Sequence, residues 1–195
     1  MPLTPSNSSL RWLLPVLVVV VSLTVGGGLL TRELYHRPAA GEIAVSRSAT
    51  SSLPPGREPG SPRVELTADA AAHPDSERVR QVLQAHFDGI NRRDYDLWAS
   101  TVVEDRIRAQ PRREWLANYR STRDGSILVH RIELAPEERL NVLVGFTSTQ
   151  DVADAPPELP ETCIRWRLTL PLSLEGDRWK LDTVPAGTTP EREKC

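Results

Sequence analysis

Cys163-Ile164-Arg165-Trp166-Arg167-Leu168-Thr169-Leu170-Pro171-Leu172-Ser173-Leu174, followed after Glu175-Gly176-Asp177-Arg178 by Trp179-Lys180-Leu181-Asp182-Thr183-Val184, is the stretch that decides the fold. Ile164, Trp166, Leu168, Leu170, Leu172 and Leu174 alternate with Arg165, Arg167, Thr169, Pro171 and Ser173. A period of two marks a half-buried strand. The alternation resumes with Trp179, Leu181 and Thr183 inward and Arg178, Lys180 and Asp182 outward, which predicts a hairpin turning at Gly176-Asp177. That turn sets Leu174 opposite Trp179, Leu172 opposite Leu181 and Leu170 opposite Thr183. A slip of one residue would turn one apolar set to solvent.

Carried along the same ladder, Cys163 lies opposite a position near Pro190, a few residues from the last residue, Cys195. The two cysteines are therefore able to meet. Closing a loop of that span is worth about 3 to 4 kcal/mol in the chain-entropy model, and such a bond persists outside the cytosol. The alternatives are two unpaired thiols, or a Cys195 that links two chains.

Working outward, 39% hydrophobic and 26% charged residues in 195 allow one ordinary globular domain plus extensions. Residues 75–195 hold 18 Lys and Arg against 21 Asp and Glu, so no positive field exists to attract nucleic acid. Lys180 and Lys194 are the only lysines, a usage that points to coding bias and carries no function.

Residues 12–31 are twenty without a charge, and at about 1.5 Å per residue they match the roughly 30 Å of a bilayer core. They are read as a single transmembrane helix after an N-terminal tail of residues 1–11. A cleaved signal peptide is the rival, with Arg11 as a short basic region and Gly26-Gly27-Gly28 supplying small residues, but the apolar run is long and no A-x-A site follows. Charge counting leans against an outward C-terminus, because Arg32, Arg37 and Arg47 follow the span and only Arg11 precedes it. The expected disulfide decides for an extracytoplasmic domain on a cell-membrane anchor.

Residues 32–74 read as a disordered linker: residues 37–76 contain six Pro, six Ser and eight Ala without apolar periodicity. A flexible tether of that length reaches roughly 30–40 Å. The folded domain is placed at 75–184, with 185–195 as a C-terminal tail ending in Cys195. Its first helix opens at Pro74-Asp75-Ser76 with a capping side chain and presents Val79, Val82, Leu83, His86, Phe87 and Ile90 on one stripe. A short second helix carries Tyr95, Leu97, Trp98 and Val102, and a third starts at Pro111 with Trp115, Leu116 and Tyr119.

The period then changes to two, with Leu128, His130, Ile132 and Leu134 on one strand and Leu140, Val142, Val144 and Phe146 on the next, joined at Pro136-Glu137-Glu138-Arg139. An acidic, proline-rich loop from Asp151 to Thr162 leads into the Cys163 strand. Three helices followed by about four antiparallel strands make an α+β domain.

That order, with the bend Ile90-Asn91-Arg92-Arg93-Asp94-Tyr95, resembles the nuclear transport factor 2-like (SnoaL-like) superfamily over residues 75–184. The strand end Phe146-Thr147-Ser148-Thr149-Gln150-Asp151, the strand start Thr162-Cys163-Ile164-Arg165-Trp166 and the Gly176-Asp177-Arg178-Trp179-Lys180-Leu181-Asp182 hairpin look like an actinobacterial group of membrane-anchored extracytoplasmic domains that includes the Mce-associated proteins. The resemblance implies a cone, a curved sheet wrapped on helices around a cavity. In enzymes of the superfamily that cavity holds a base, typically Asp or His, and a Tyr donor.

The corresponding candidates are His86 and His130 as bases and Tyr95 or Tyr119 as donors, with Trp98, Trp115 and Trp166 as ligand-cavity walls. Against them stand partly buried histidines bonded to backbone and aromatic residues packed as core. No Asp is assigned by motif. No His/Cys cluster has metal-ligand spacing, no glycine-rich loop opens a helix, and no cofactor is called for. Asp151, Asp154, Glu158 and Glu161 read as solvated acids rather than calcium ligands. Arg106, Arg108, Arg112 and Arg113 read as a solvated face.

Two functions compete. The first is a non-enzymatic accessory domain that docks to an envelope or transport assembly. The second is a cavity that binds or transforms a small hydrophobic molecule through His86 or His130, as a cyclase or isomerase would. Homodimerisation through the open sheet face is compatible with both. A solvent-reached pocket with a histidine in its wall separates the two; a cavity filled by Leu and Trp would exclude the second.

Overall fold

The hairpin register read from the alternation is the one observed: Leu174 faces Trp179 and Leu172 faces Leu181. The computed structural model describes residues 58–185 and 187–195. They form an α+β domain whose elements run β1 (Glu65–Leu66), α1 (Ala68–Ala71), α2 (Ser76–Arg92), α3 (Tyr95–Ser100), α4 (Glu104–Ala109), α5 (Arg112–Asn118), β2 (Arg123–Ala135), β3 (Arg139–Thr149), β4 (Cys163–Glu175), β5 (Arg178–Leu181) and β6 (Glu191–Lys194). The sheet is ordered β1-β2-β3-β4-β5, with β6 also on β4.

Six strands replace the expected four, and the sheet is mixed rather than antiparallel because β1 runs parallel to β2. The extra strands come from segments assigned to linker and tail. Residues 58–74 are packed: Gln84 Oε1 accepts from Val64 N, Thr67 Oγ1 donates to the His130 carbonyl, and Ser126 N donates to the Ser61 carbonyl. Thr67 also caps α1 by accepting from Ala70 N. Gly125 lies so close to this segment that a Cβ there would sit 2.6 Å from the Pro59 carbonyl oxygen. The domain therefore begins before Asp75. The expected transmembrane helix at 12–31, and the linker as far as residue 57, lie outside the described residues. Among the described residues no helix is long and apolar enough to cross a membrane.

The segment assigned as a C-terminal tail supplies β6. After Leu181 the chain leaves the sheet and returns with Lys194 opposite Ile164, five residues later than an uninterrupted ladder would place it. Cys195 N donates to the Cys163 carbonyl, and the Cys163–Cys195 disulfide has a Cα separation of 5.4 Å. That lies within the range for an unforced bond.

On the other side of the sheet, α2 buries Val79, Leu83, His86, Phe87 and Ile90, as its stripe requires. Its start differs from expectation: the Asp75 carboxylate does not cap the helix but accepts from Trp179 Nε1 (3.1 Å) and Arg78 (2.8 Å), tying the helix to β5. The bend after α2 is made by Arg93 in the left-handed region (φ 57°), with Asp94 capping α3 through Leu97 N. α3 crosses α2 at Gly89, where a Cβ would lie 2.8 Å from Trp98 N. Four helices follow Pro74 where three were expected, the addition being α4, too short and polar to show a stripe.

In β2 the expected face was wrong in its first half. Register shifts lie between Gly125 and Leu128 and between Val129 and Arg131, and Ser126 has φ 50°. A bulge adds a residue and reverses the facing of what precedes it. Ile127 and Val129 are buried, His130 turns to the other face, and Leu134 is 80% exposed.

Candidate functional site

A cavity of about 340 Å³ opens between α2, α4 and the inner ends of β3 and β4. Its apolar wall comes from Phe87 and Ile90 of α2, Phe146 of β3, and Trp166, Leu168 and Leu170 of β4. The aromatic part is continuous: Phe87 meets Phe146 edge to face at 5.1 Å, and Phe146 stacks on Trp166 at 6.3 Å. Polar groups enter from His86, Arg106, Gln110, Tyr119 and Asp124. An apolar lining with a few convergent polar groups is the usual character of a small-molecule site.

His86 belongs to the buried stripe of α2 and also lines this cavity. Its Nδ1 lies 2.9 Å from Thr101 Oγ1, and that hydroxyl donates its own hydrogen to the Trp98 carbonyl at 2.6 Å. Thr101 can then only accept, so Nδ1 carries the ring proton and Nε2 keeps a lone pair. Burial, reinforced by the Arg106 charge, holds the imidazole down to about 3, so the ring is neutral at physiological pH.

Asp124 is the titratable group that sequence reasoning missed. It is 4% exposed, lines the cavity, and accepts from Ser148 Oγ at 2.5 Å. Asn91 holds its backbone on both sides: Asp124 N donates to Oδ1 (2.7 Å), and Nδ2 donates to the Asp124 carbonyl (2.9 Å). Burial raises the carboxyl to about 6, against the opposing pull of the Ser148 bond. The bulge at Gly125–Leu128 is what turns Asp124 inward, because strict alternation from Ile127 would face it to solvent. An Asn at the helical bend with an Asp at the head of the next long strand was the available signal.

Tyr119 lines the cavity and packs on Trp115, and burial raises its phenol above the ordinary range. The structure does not bring the other candidates to the site. Tyr95 donates to the Gln110 carbonyl (3.1 Å) and lies under Arg112, packed on Trp98 and Trp115. His130 stands over Gly145 on the opposite face of the sheet, its Nε2 2.9 Å from where a Cβ would be. Burial, and then Arg167, lower its pKa. Of the three tryptophans only Trp166 lines the cavity; Trp98 and Trp115 are fully buried and pack at a tilt, ring centroids 5.3 Å apart, as core.

The Asp151–Thr162 loop also reaches the cavity. Asp154 is not a solvated acid: its side chain is 7% exposed and accepts from Ser121 Oγ (2.6 Å) and Arg120, which together hold its carboxyl low. Among the described residues, the close grouping of metal-ligating side chains is Glu58 with Cys163 and Cys195, whose sulfurs are tied up in the disulfide. Comparison with protein-family models, with curated proteins and with solved structures finds no match.

Proposed function

We propose that this domain takes up a small, mainly apolar molecule in the cavity between α2, α4 and the sheet. The observation that carries the reading is the combination of an open space of about 340 Å³ with a buried carboxyl, Asp124, in its wall. A packed core would have filled that space. In place of a histidine base, His86 or His130, with a tyrosine donor, the cavity supports a division of work. His86, neutral with a free Nε2, accepts a hydrogen bond; Asp124, titrating near 6, exchanges a proton when the bound molecule offers an acidic C–H or O–H; and Tyr119 donates to an oxygen.

The architecture and cavity support membership in the nuclear transport factor 2-like superfamily as part of the same proposal. An extracytoplasmic location, on an anchor formed by residues 12–31, is supported by the disulfide, which endures in an oxidising space.

The test is calorimetric titration of the full-length chain, held in lipid nanodiscs, with the neutral probe 4-phenylbutanamide, using empty nanodiscs as the blank. Saturable binding that Leu168→Trp abolishes by filling the cavity is the expected result. Binding that survives Leu168→Trp places the probe elsewhere and removes the reading.

A further inference from the structure

Arg106 is the cationic side chain in the cavity wall, and it stands apart from the other arginines of the domain. Arg78, Arg80, Arg92, Arg108, Arg112, Arg120, Arg131, Arg139, Arg165 and Arg192 each have a carboxylate partner. Arg93 and Arg123 donate to the carbonyls of Arg120 and Asn91. Arg63, Arg113, Arg167 and Arg178 lack partners but are exposed, so water solvates them. Arg106 alone among the described arginines is half-buried, in the cavity wall, with neither an ion pair nor a side-chain hydrogen bond.

Asp182 is close enough for its charge to be felt by Arg106, but it is engaged elsewhere, accepting from Ser173 Oγ and Thr183 N and lying 3.9 Å from Arg139. Burial pulls the guanidinium below its ordinary range, yet arginine keeps its proton in proteins. A retained charge, half-buried in a mostly apolar wall and without a bonded counterion, is most favourable when an anion completes it. The remaining wall is aromatic along Phe87, Phe146 and Trp166. The volume sits near the lower end of the roughly 300–1,000 Å³ of small-molecule sites.

We propose that the cavity takes a small carboxylate with an aromatic or similarly flat apolar body, and that Arg106 is the counterion that recognises its charge. This rests on the cavity reading above and adds the ligand's chemical class. Guanidinium and carboxylate match as a planar fork, and the bond is charge-assisted on both sides.

Titration of the full-length chain in nanodiscs at pH 7 compares 4-phenylbutyrate with its neutral amide and with inorganic phosphate. The acid is expected to bind about tenfold or more tightly than the amide, phosphate not at all, and the preference to fall to near unity in Arg106→Gln. Arg106→Gln should also melt no lower than the wild type without ligand, since an unpaired charge has gone. If Arg106→Gln fails to fold, Arg106→Lys decides: weakened acid binding with unchanged amide binding supports the assignment, and no change in either overturns it. Equal affinity of acid and amide in the wild type, or a preference that survives Arg106→Gln, overturns the anion site while leaving the cavity standing. Failure of both phenyl probes to bind overturns the cavity reading as well. Phosphate binding as tight as the acid's removes the apolar body from the proposed ligand class.

Discussion

Asp124→Asn should change the pH dependence of stability by an amount set by the burial of its carboxyl. The ordinary aspartate value is 3.8 and the folded value is about 6, so the native state binds more protons than the unfolded chain between those limits. Stability contributed by this group is full below 3.8 and is lost as pH rises through 6. Each tenfold difference in proton affinity between the two states is worth about 1.4 kcal/mol, so the loss between pH 4 and pH 8 comes to about 2.5 kcal/mol. The carboxamide cannot ionise, and its Oδ1 can still accept from Ser148 Oγ. The unfolding free energy of Asp124→Asn minus that of the wild type should therefore rise by about 2.5 kcal/mol from pH 4 to pH 8. His86 works in the opposite sense, its stabilisation being present above 6.5 and lost as pH falls toward 3. It is common to both proteins and cancels in the difference. Urea titrations at successive whole-number pH values measure the quantity directly. A difference that stays flat across the range would mean that Asp124 is as wet in the native state as in the unfolded one, and the acid–base assignment would fall with it.

Replacing both Cys163 and Cys195 with Ser should lower the unfolding free energy by about 3 to 4 kcal/mol, read by urea titration, because the bond closes a 32-residue separation; an unchanged midpoint would contradict the pairing. Gly89→Ala should destabilise by about 1 to 3 kcal/mol, since the new Cβ meets the Trp98 backbone at 2.8 Å, which is part of a packed crossing. Gly145→Ala meets only the tip of the His130 ring at 2.9 Å, which can swing aside, so its melting temperature should fall less than that of Gly89→Ala; the reverse order would count against the α2–α3 contact. His130→Gln should leave binding of 4-phenylbutanamide unchanged because its ring is on the far face of the sheet, and a loss of binding would show that the bulges in β2 are misplaced.

Period-two alternation carried the central hairpin, since Leu172, Trp179 and Leu181 leave only one register that buries them on the same face. It failed where the backbone departs from regular geometry. The bulge beside His130 shifts the phase of β2 and moved His130 out of the site, and the bulge around Ser126 shifts it back, so that Asp124 faces inward again with Ile132. Nothing in the side-chain pattern marks a bulge whose left-handed residue is Ser rather than Gly. Residues 58–74 escaped notice for a different reason: they enter the core through isolated side chains, Val64 and Ala70, and otherwise bind by backbone pairing and single polar contacts such as Thr67 with the His130 carbonyl, which together leave no hydrophobic period. Arg106 looked like one of four solvated arginines, because its isolation follows from where α4 is laid against the cavity and not from its neighbours in the chain.

Diffraction from crystals of the protein soaked with 4-phenylbutanamide tests the ligand cavity most directly. Density for the phenyl ring against Phe87, Phe146 and Trp166, with the amide within reach of Asp124, is the result this account requires. Finding that space closed by Leu168, Leu170 and Phe146, with no density between α2 and β4, would contradict it.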